Sequence, residues 1–174
     1  MAAAVERGGL VIPVFIWAPE EEGAWRPGAA SQWWLSRSLA ALNAELEKRG
    51  SRLIIRRGPA GKALNDLLAE SGATAVCWNR RYEPAAVARD AALKSHLRER
   101  GIATESFNGN LLFEPWTIRN GSGQPFRVFT AFWRACLTKP VAPPSKDAPT
   151  KLRAPANWPH SLELSALELE PTVD

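Results

Sequence analysis

The stretch Thr74-Ala-Val-Cys-Trp-Asn-Arg-Arg-Tyr-Glu-Pro84 decides how this chain is read. Its first five residues form a short apolar run, the pattern of a strand covered by helices on both faces. The polar residues Asn79–Glu83 make a loop, and Pro84, with its φ already set, opens a helix. The same order of strand, loop and helix recurs on either side. Upstream, Leu10–Trp17 is an apolar run in which Pro13 lacks a ladder donor, so regular pairing is expected to begin near it. Ser31–Arg49 reads as a helix with Leu35, Leu39, Leu42 and Leu46 on one stripe, stopped by Gly50. Leu53–Arg57 is a second strand, and Gly61–Ser71 a second helix with Gly72 behind it. Downstream, Pro84–Arg100 pairs Leu93 with Leu97 at i,i+4 and ends at Gly101. Ile102–Phe107 is a further strand, and Leu111–Ile118 a short strand or turn pair. Pro125–Leu137 is a last helix, with Phe129, Phe132, Trp133, Cys136 and Leu137 on one face.

Strands alternating with helices predict an α/β fold: a doubly wound, mostly parallel sheet in three α/β/α layers, with right-handed crossovers. Ligands in such sheets bind beyond the carboxyl ends of the strands. Residues 1–138 are expected to form this domain. In residues 139–174 the composition turns Pro-rich (Pro140, Pro143, Pro144, Pro149, Pro155, Pro159), which predicts an extended linker and a leucine-bearing tail too short to fold alone.

The 174 residues suffice for one domain with a real core. A net charge of +4 permits an anionic partner without requiring one. No apolar run is long enough to span a bilayer, and the start lacks the n- and h-regions of a signal peptide, so a cytoplasmic setting with no membrane partner is expected. Cys77 and Cys136 lie in apolar patterns and are expected to be buried free thiols. His96 and His160 stand far apart, without the spacing of a metal site.

Ala18-Pro-Glu-Glu-Glu-Gly23 after the first strand is acidic and unlike a glycine-rich phosphate loop, so Glu20–Glu22 reads as a solvated run. Gly121-Ser-Gly-Gln124 reads as a turn. Asn79–Glu83 is the best candidate for binding, because it sits at a strand's carboxyl end before a helix N-terminus. Eight tryptophans are unusual in so small a chain. Trp33, Trp34, Trp78 and Trp133 are expected in or beside the core, and Trp17 at the tip of the first strand. Trp25, Trp116 and Trp158 are expected in loops. Arg80, Arg81, Arg89, Lys94, Arg98 and Arg100 are spread around a helix rather than set on a stripe, which predicts no direct DNA contact.

Several phrases in a fixed order resemble one family: Ala2-Ala-Ala-Val-Glu-Arg-Gly-Gly9 with Val14-Phe-Ile-Trp17, Gly50-Ser-Arg-Leu53 with Arg57-Gly58, Trp78-Asn-Arg-Arg-Tyr-Glu-Pro84, Leu111-Leu-Phe-Glu-Pro115 and Gly121-Ser-Gly-Gln-Pro-Phe-Arg-Val-Phe-Thr-Ala-Phe-Trp133. Together they are similar to the N-terminal α/β domain of DNA photolyases and cryptochromes. The resemblance implies a Rossmann-like sheet that lacks the family's first, central strand. It implies a light-harvesting antenna chromophore seated by Phe15, Trp17, Ala18, Arg81, Glu83, Ala86 and Arg89. Ala85-Ala86 stands where folate-binding members carry Asn-Glu, and Ala18 where deazaflavin-binding members tend to carry Asp; the resemblance implies a deazaflavin or a flavin before a folate, with the usual Asp contact to a deazaflavin missing. The partner implied is a helical FAD-binding domain outside this chain, so FAD chemistry and pyrimidine-dimer repair are not expected of these residues alone. A different class of reading, a stand-alone nucleotide-binding or interaction module on a Rossmann-like sheet, stays open.

Overall fold

Each strand of this chain is preceded by a helix, and the loops between them are short. The computed structural model describes residues 1–141 and 147–170. Pro143 and Pro144 of the Pro-rich stretch therefore lie outside the described residues, as does the end of the tail. Contacts group the chain into two units.

The first unit comprises described residues within Met1–Cys77, Arg81–Glu105 and Asp147–Asp174. It opens with α1 (Ala2–Glu6). Next come β1 (Val14–Trp17), a 3₁₀ turn (Pro19–Glu22), α2 (Ala29–Glu47), β2 (Ile54–Arg57) and α3 (Ala60–Ser71). Then β3 (Ala75–Asn79), α4 (Pro84–Glu99) and β4 (Ala103–Phe107) complete the alternation. As expected, β1 begins just after Pro13. Gly72 ends α3 in the left-handed region (φ 63°), where its amide reaches the Leu68 carbonyl.

The strands form two parallel pairs. β1 pairs with β2 in the register Val14 to Ile54 through Trp17 to Arg57. β3 pairs with β4, where the Ala103 amide donates to the Thr74 carbonyl at 2.9 Å. No ladder joins β1 to β3 among the described residues. The α/β architecture holds, with its sheet divided at the middle.

One face of β1 and β2 is closed by α2. Trp17, Leu53 and Ile55 cluster there with Leu39 and Leu46, and with half-buried Phe15, Leu35 and Val5 of α1. Leu42 departs from the expected stripe and is 41% exposed. Leu152, Leu162, Leu164, Leu167 and Leu169 join the same cluster. Residues 147–170 thus differ from an extended linker and loose tail: they are a strap on this core. The Leu152 amide donates to the Arg49 carbonyl, and the Leu162 amide donates to the Ile55 carbonyl along the outer edge of β2. Those bonds leave room for prolines, which need no donor.

The second unit comprises described residues within Trp78–Arg80 and Ser106–Lys146. Leu111–Ile118 contains turns and bends, with no strand among its residues. The Gly121-Ser-Gly-Gln124 turn forms as expected, with Asn120 Oδ1 accepting from the Ser122 and Gln124 amides. α5 spans Phe129–Leu137, and Val128 ahead of it is extended. Its facing corrects the sequence reading. Cys136 is buried, whereas Phe129, Trp133 and Leu137 are exposed, at 73%, 47% and 66%. Phe129 and Trp133 instead stack on each other, i to i+4, at 6.4 Å and 9°.

Other expectations also shift. Trp33 and Trp34 are exposed on α2 rather than in the core. Trp33 lies under the Arg37 guanidinium at 5.6 Å, a contact that needs no burial. Cys77 is only half-buried, and both cysteines are free. No helix among the described residues is long and apolar enough to cross a membrane.

Candidate functional site

The carboxyl end of β1 turns directly into the 3₁₀ turn Pro19–Glu22, which begins at buried Ala18 and packs on α4. Gly23 then releases the chain at φ 62°, a conformation in which side chains are strained. The turn aims two carboxylates inward. Glu21 Oε1 accepts from the Ala60 amide at 3.1 Å, satisfying an orphan donor at the start of α3. Its Oε2 is buried without a partner among the described residues. Glu22, only 13% exposed, accepts from Arg81 at 2.5 Å and lies 3.7 Å from Arg89. Of the acidic run only Glu20 is exposed as expected; Glu21 and Glu22 turn inward, and two guanidiniums of the α4 region compensate Glu22.

Arg81 also binds Glu83 at 3.1 Å, and Arg89 binds Asp90 at 2.9 Å. The Glu22 carboxylate, and secondarily Glu83, raise the Arg81 pKa above the ordinary guanidinium value. The Arg81 hydrogen bond in turn holds Glu83 below the ordinary carboxylate value. Ala86, 1% exposed, fills the first turn of α4 and leaves no polar atom there.

The seven residues implied by the resemblance thus separate into two groups. Ala18, Arg81, Glu83, Ala86 and Arg89 belong to the 3₁₀ turn and the start of α4, organised by Glu22. Phe15 and Trp17 point to the opposite face of β1, where their rings stack at 6.4 Å and 22° inside the α2 cluster. Trp17 is 8% exposed, so its ring face is occupied by protein. Sequence reasoning missed Glu22. Its signal was a carboxylate five residues beyond the end of β1, with Arg81 and Arg89 at and just past the junction of β3 and α4.

The candidate loop Asn79–Glu83 also divides. Arg80 belongs to the second unit, where it binds Glu114 at 2.5 Å, donates to the Ser106 carbonyl and lies 5.8 Å from the Trp116 ring. Arg98 donates to Thr104 Oγ1, and Arg100 to Asn65. These guanidiniums are hydrogen-bonded within the fold.

The DNA photolyase family model matches residues 1–151. The chain belongs to the DNA photolyase family. It is 49% identical over 174 residues to the deoxyribodipyrimidine photo-lyase of Agrobacterium fabrum, covering 99% of this chain and 35% of that protein. It is 42% identical to cryptochrome-2 of Arabidopsis thaliana, covering 97% of this chain and 28% of that protein. Among solved structures, the class III photolyase of Agrobacterium tumefaciens superposes with a TM-score of 0.88 at 46% identity, over 98% of this chain and 35% of that one. The chain therefore spans about a third of the length of these photolyase-family relatives and corresponds to their N-terminal α/β part.

Proposed function

We propose that this chain is the antenna-binding α/β domain of a photolyase or cryptochrome and holds a flat light-harvesting chromophore without photochemistry of its own. The observation that carries this reading is near-complete alignment of the chain with one third of photolyases and cryptochromes. FAD and dimer repair would belong to a helical domain outside these residues, and that domain would be the principal partner.

Within the described residues, the proposed seat groups Ala18, Arg81, Glu83, Ala86 and Arg89, its polar groups being Arg81, Glu83 and Arg89 and its apolar backing buried Ala18 and Ala86. A chromophore with an anionic edge would take the place of the Glu22 carboxylate on Arg81 and Arg89, exchanging one ion pair for another. Glu83 would accept from a ring N–H. Phe15 and Trp17 would serve as the apolar floor beneath β1 rather than as stacking faces. Loss of the Asn-Glu pair at Ala85-Ala86 favours a deazaflavin or flavin over a folate.

Titration of the chain with a deazaflavin, with FMN and with methenyltetrahydrofolate, followed by chromophore fluorescence, tests this reading. The expected result is saturable binding of the deazaflavin or flavin, weakened about tenfold by Arg81→Ala, the loss expected for one charge-assisted hydrogen bond. Failure of all three to bind to a folded chain would overturn it. Tight binding of a nucleotide such as AMP instead would favour the nucleotide-binding alternative.

A further inference from the structure

Between α2 and the strap, along the outer edge of β2, the first unit holds a cleft of about 580 Å³. Clefts of this size take small molecules. The backbone of that edge is already served. The Leu53 amide donates to Asn43 Oδ1 at 2.8 Å, the Ile55 amide to Ser161 Oγ at 2.9 Å, and the Ile55 carbonyl accepts from the Leu162 amide. What the cleft offers is therefore its side chains. Leu39, Leu53, Ile55 and Leu162 give it an aliphatic floor.

Its charged groups fall at two ends. Trp158 lies beside Arg52 and Leu162 beside Ile55, so the strap runs parallel to β2. α2 runs the opposite way, with Asn43 at Leu53 and Glu47 one turn further on. Arg52 and Glu47 thus share one end, and Glu163, next to Leu162, stands at the other. From Arg52 to Ile55 the extended backbone covers about 10 Å. The Arg52 guanidinium rests over the Trp158 ring at 4.9 Å, which fixes the group without using its hydrogen-bond donors. Among the described residues no carboxylate pairs with it. Glu47 accepts only from the neutral Asn43 amide, at 2.7 Å, and meets no cation there. Glu163 precedes the 3₁₀ turn Leu164–Leu167 without capping it by its side chain.

We infer that this cleft binds a free basic α-amino acid, lysine or arginine. The α-carboxylate pairs with Arg52 and the α-ammonium with Glu47. The aliphatic stem lies on the leucine and isoleucine floor, as long cationic side chains do on apolar surface. The cation at its far end pairs with Glu163. Every charged group of the ligand then meets its opposite. A neutral aliphatic amino acid leaves Glu163 without a cation, and a diamine leaves Arg52 without a carboxylate. The charged pair Arg52 and Glu47 sits at the amino end of β2, whereas the proposed chromophore seat follows the carboxyl end of β1.

Isothermal titration calorimetry of the full chain with L-lysine, L-arginine, L-norleucine and cadaverine tests the assignment. Norleucine keeps the α-groups and the stem without the side-chain cation, and cadaverine keeps both amines without the carboxylate. The expected result is saturable binding of lysine or arginine, at least tenfold tighter than binding of either analogue. Glu163→Gln should weaken lysine about tenfold and leave norleucine unchanged. Arg52→Ala should weaken lysine and norleucine about tenfold and leave cadaverine unchanged. The inference is overturned if neither basic amino acid saturates the chain, or if norleucine or cadaverine matches them. Those comparisons use the wild-type chain, so they hold even where a variant fails to fold. No readout involves a chromophore, so the inference stands or falls apart from the proposed function.

Discussion

Glu22 carries two guanidiniums on one nearly buried carboxylate, and its removal leaves Arg81 and Arg89 with only their more exposed partners. Glu22→Ala is expected to cost about 1–2 kcal/mol, between the values for surface and buried ion pairs, measured as a lower urea midpoint. Glu83 sets the pH dependence of the same cluster. Its carboxyl is depressed in the folded state by Arg81, so its contribution is complete above the ordinary carboxylate value. It is lost as pH falls through the folded value. The stability gap between the wild type and Arg81→Ala should therefore narrow on acidification below about pH 4. An equal gap at pH 7 and pH 3 would contradict the assignment. Glu45, on the exposed face of α2, has its carboxyl lowered to about 2 by hydrogen bonds from Lys48 and Arg49. Its titration by NMR should move back up in Lys48→Ala. At this scale the sequence showed which residues were chemically apt, since Arg81, Glu83 and Arg89 do gather. It did not show their counter-ion, because an acidic run looks the same in a list whether it faces water or two arginines.

Elements were legible where local chemistry acts alone. Gly72 and Gly101 marked helix ends, and Pro84 marked a start, because backbone conformation is decided within a few residues. Gly72→Ala forces a left-handed φ on a residue with a Cβ and should cost about 1 kcal/mol in thermal or urea unfolding. Facing was less legible. α5 has an apolar stripe, yet its helix begins only at Phe129, after the extended residue Val128, and the stripe then presents Phe129, Trp133 and Leu137 outward. A helix pattern reports that a face is apolar, whereas the packing of other elements decides whether it is covered. Phe129→Ser with Trp133→Ser should raise solubility and leave the urea midpoint nearly unchanged, since surface substitutions stay within about 0.5 kcal/mol.

The whole first unit is built from segments far apart in sequence. Leu46 and Leu167 are 2% and 1% exposed in one cluster, although 121 positions separate them (167 − 46). Leu167→Ala should therefore destabilise the unit by about 2–4 kcal/mol, as a core truncation does, and not by the few tenths expected of a loose tail. Equilibrium urea unfolding distinguishes the two. Prolines dominated the reading of 139–174, and proline excludes ladders and helices without excluding burial. The leucines at 162, 164, 167 and 169 were the better guide. The parallel α/β order was legible from alternation, whereas the division of its sheet was not, since pairing is settled by neighbours that a linear pattern does not name.

The strap has a consequence for biogenesis. Ile55 and Leu53 emerge during synthesis well before the leucines that roof them. Until residue 169 has cleared the ribosome, this hydrophobic cluster stays partly uncovered, and exposed apolar surface of that kind is what makes a folding chain prone to aggregate.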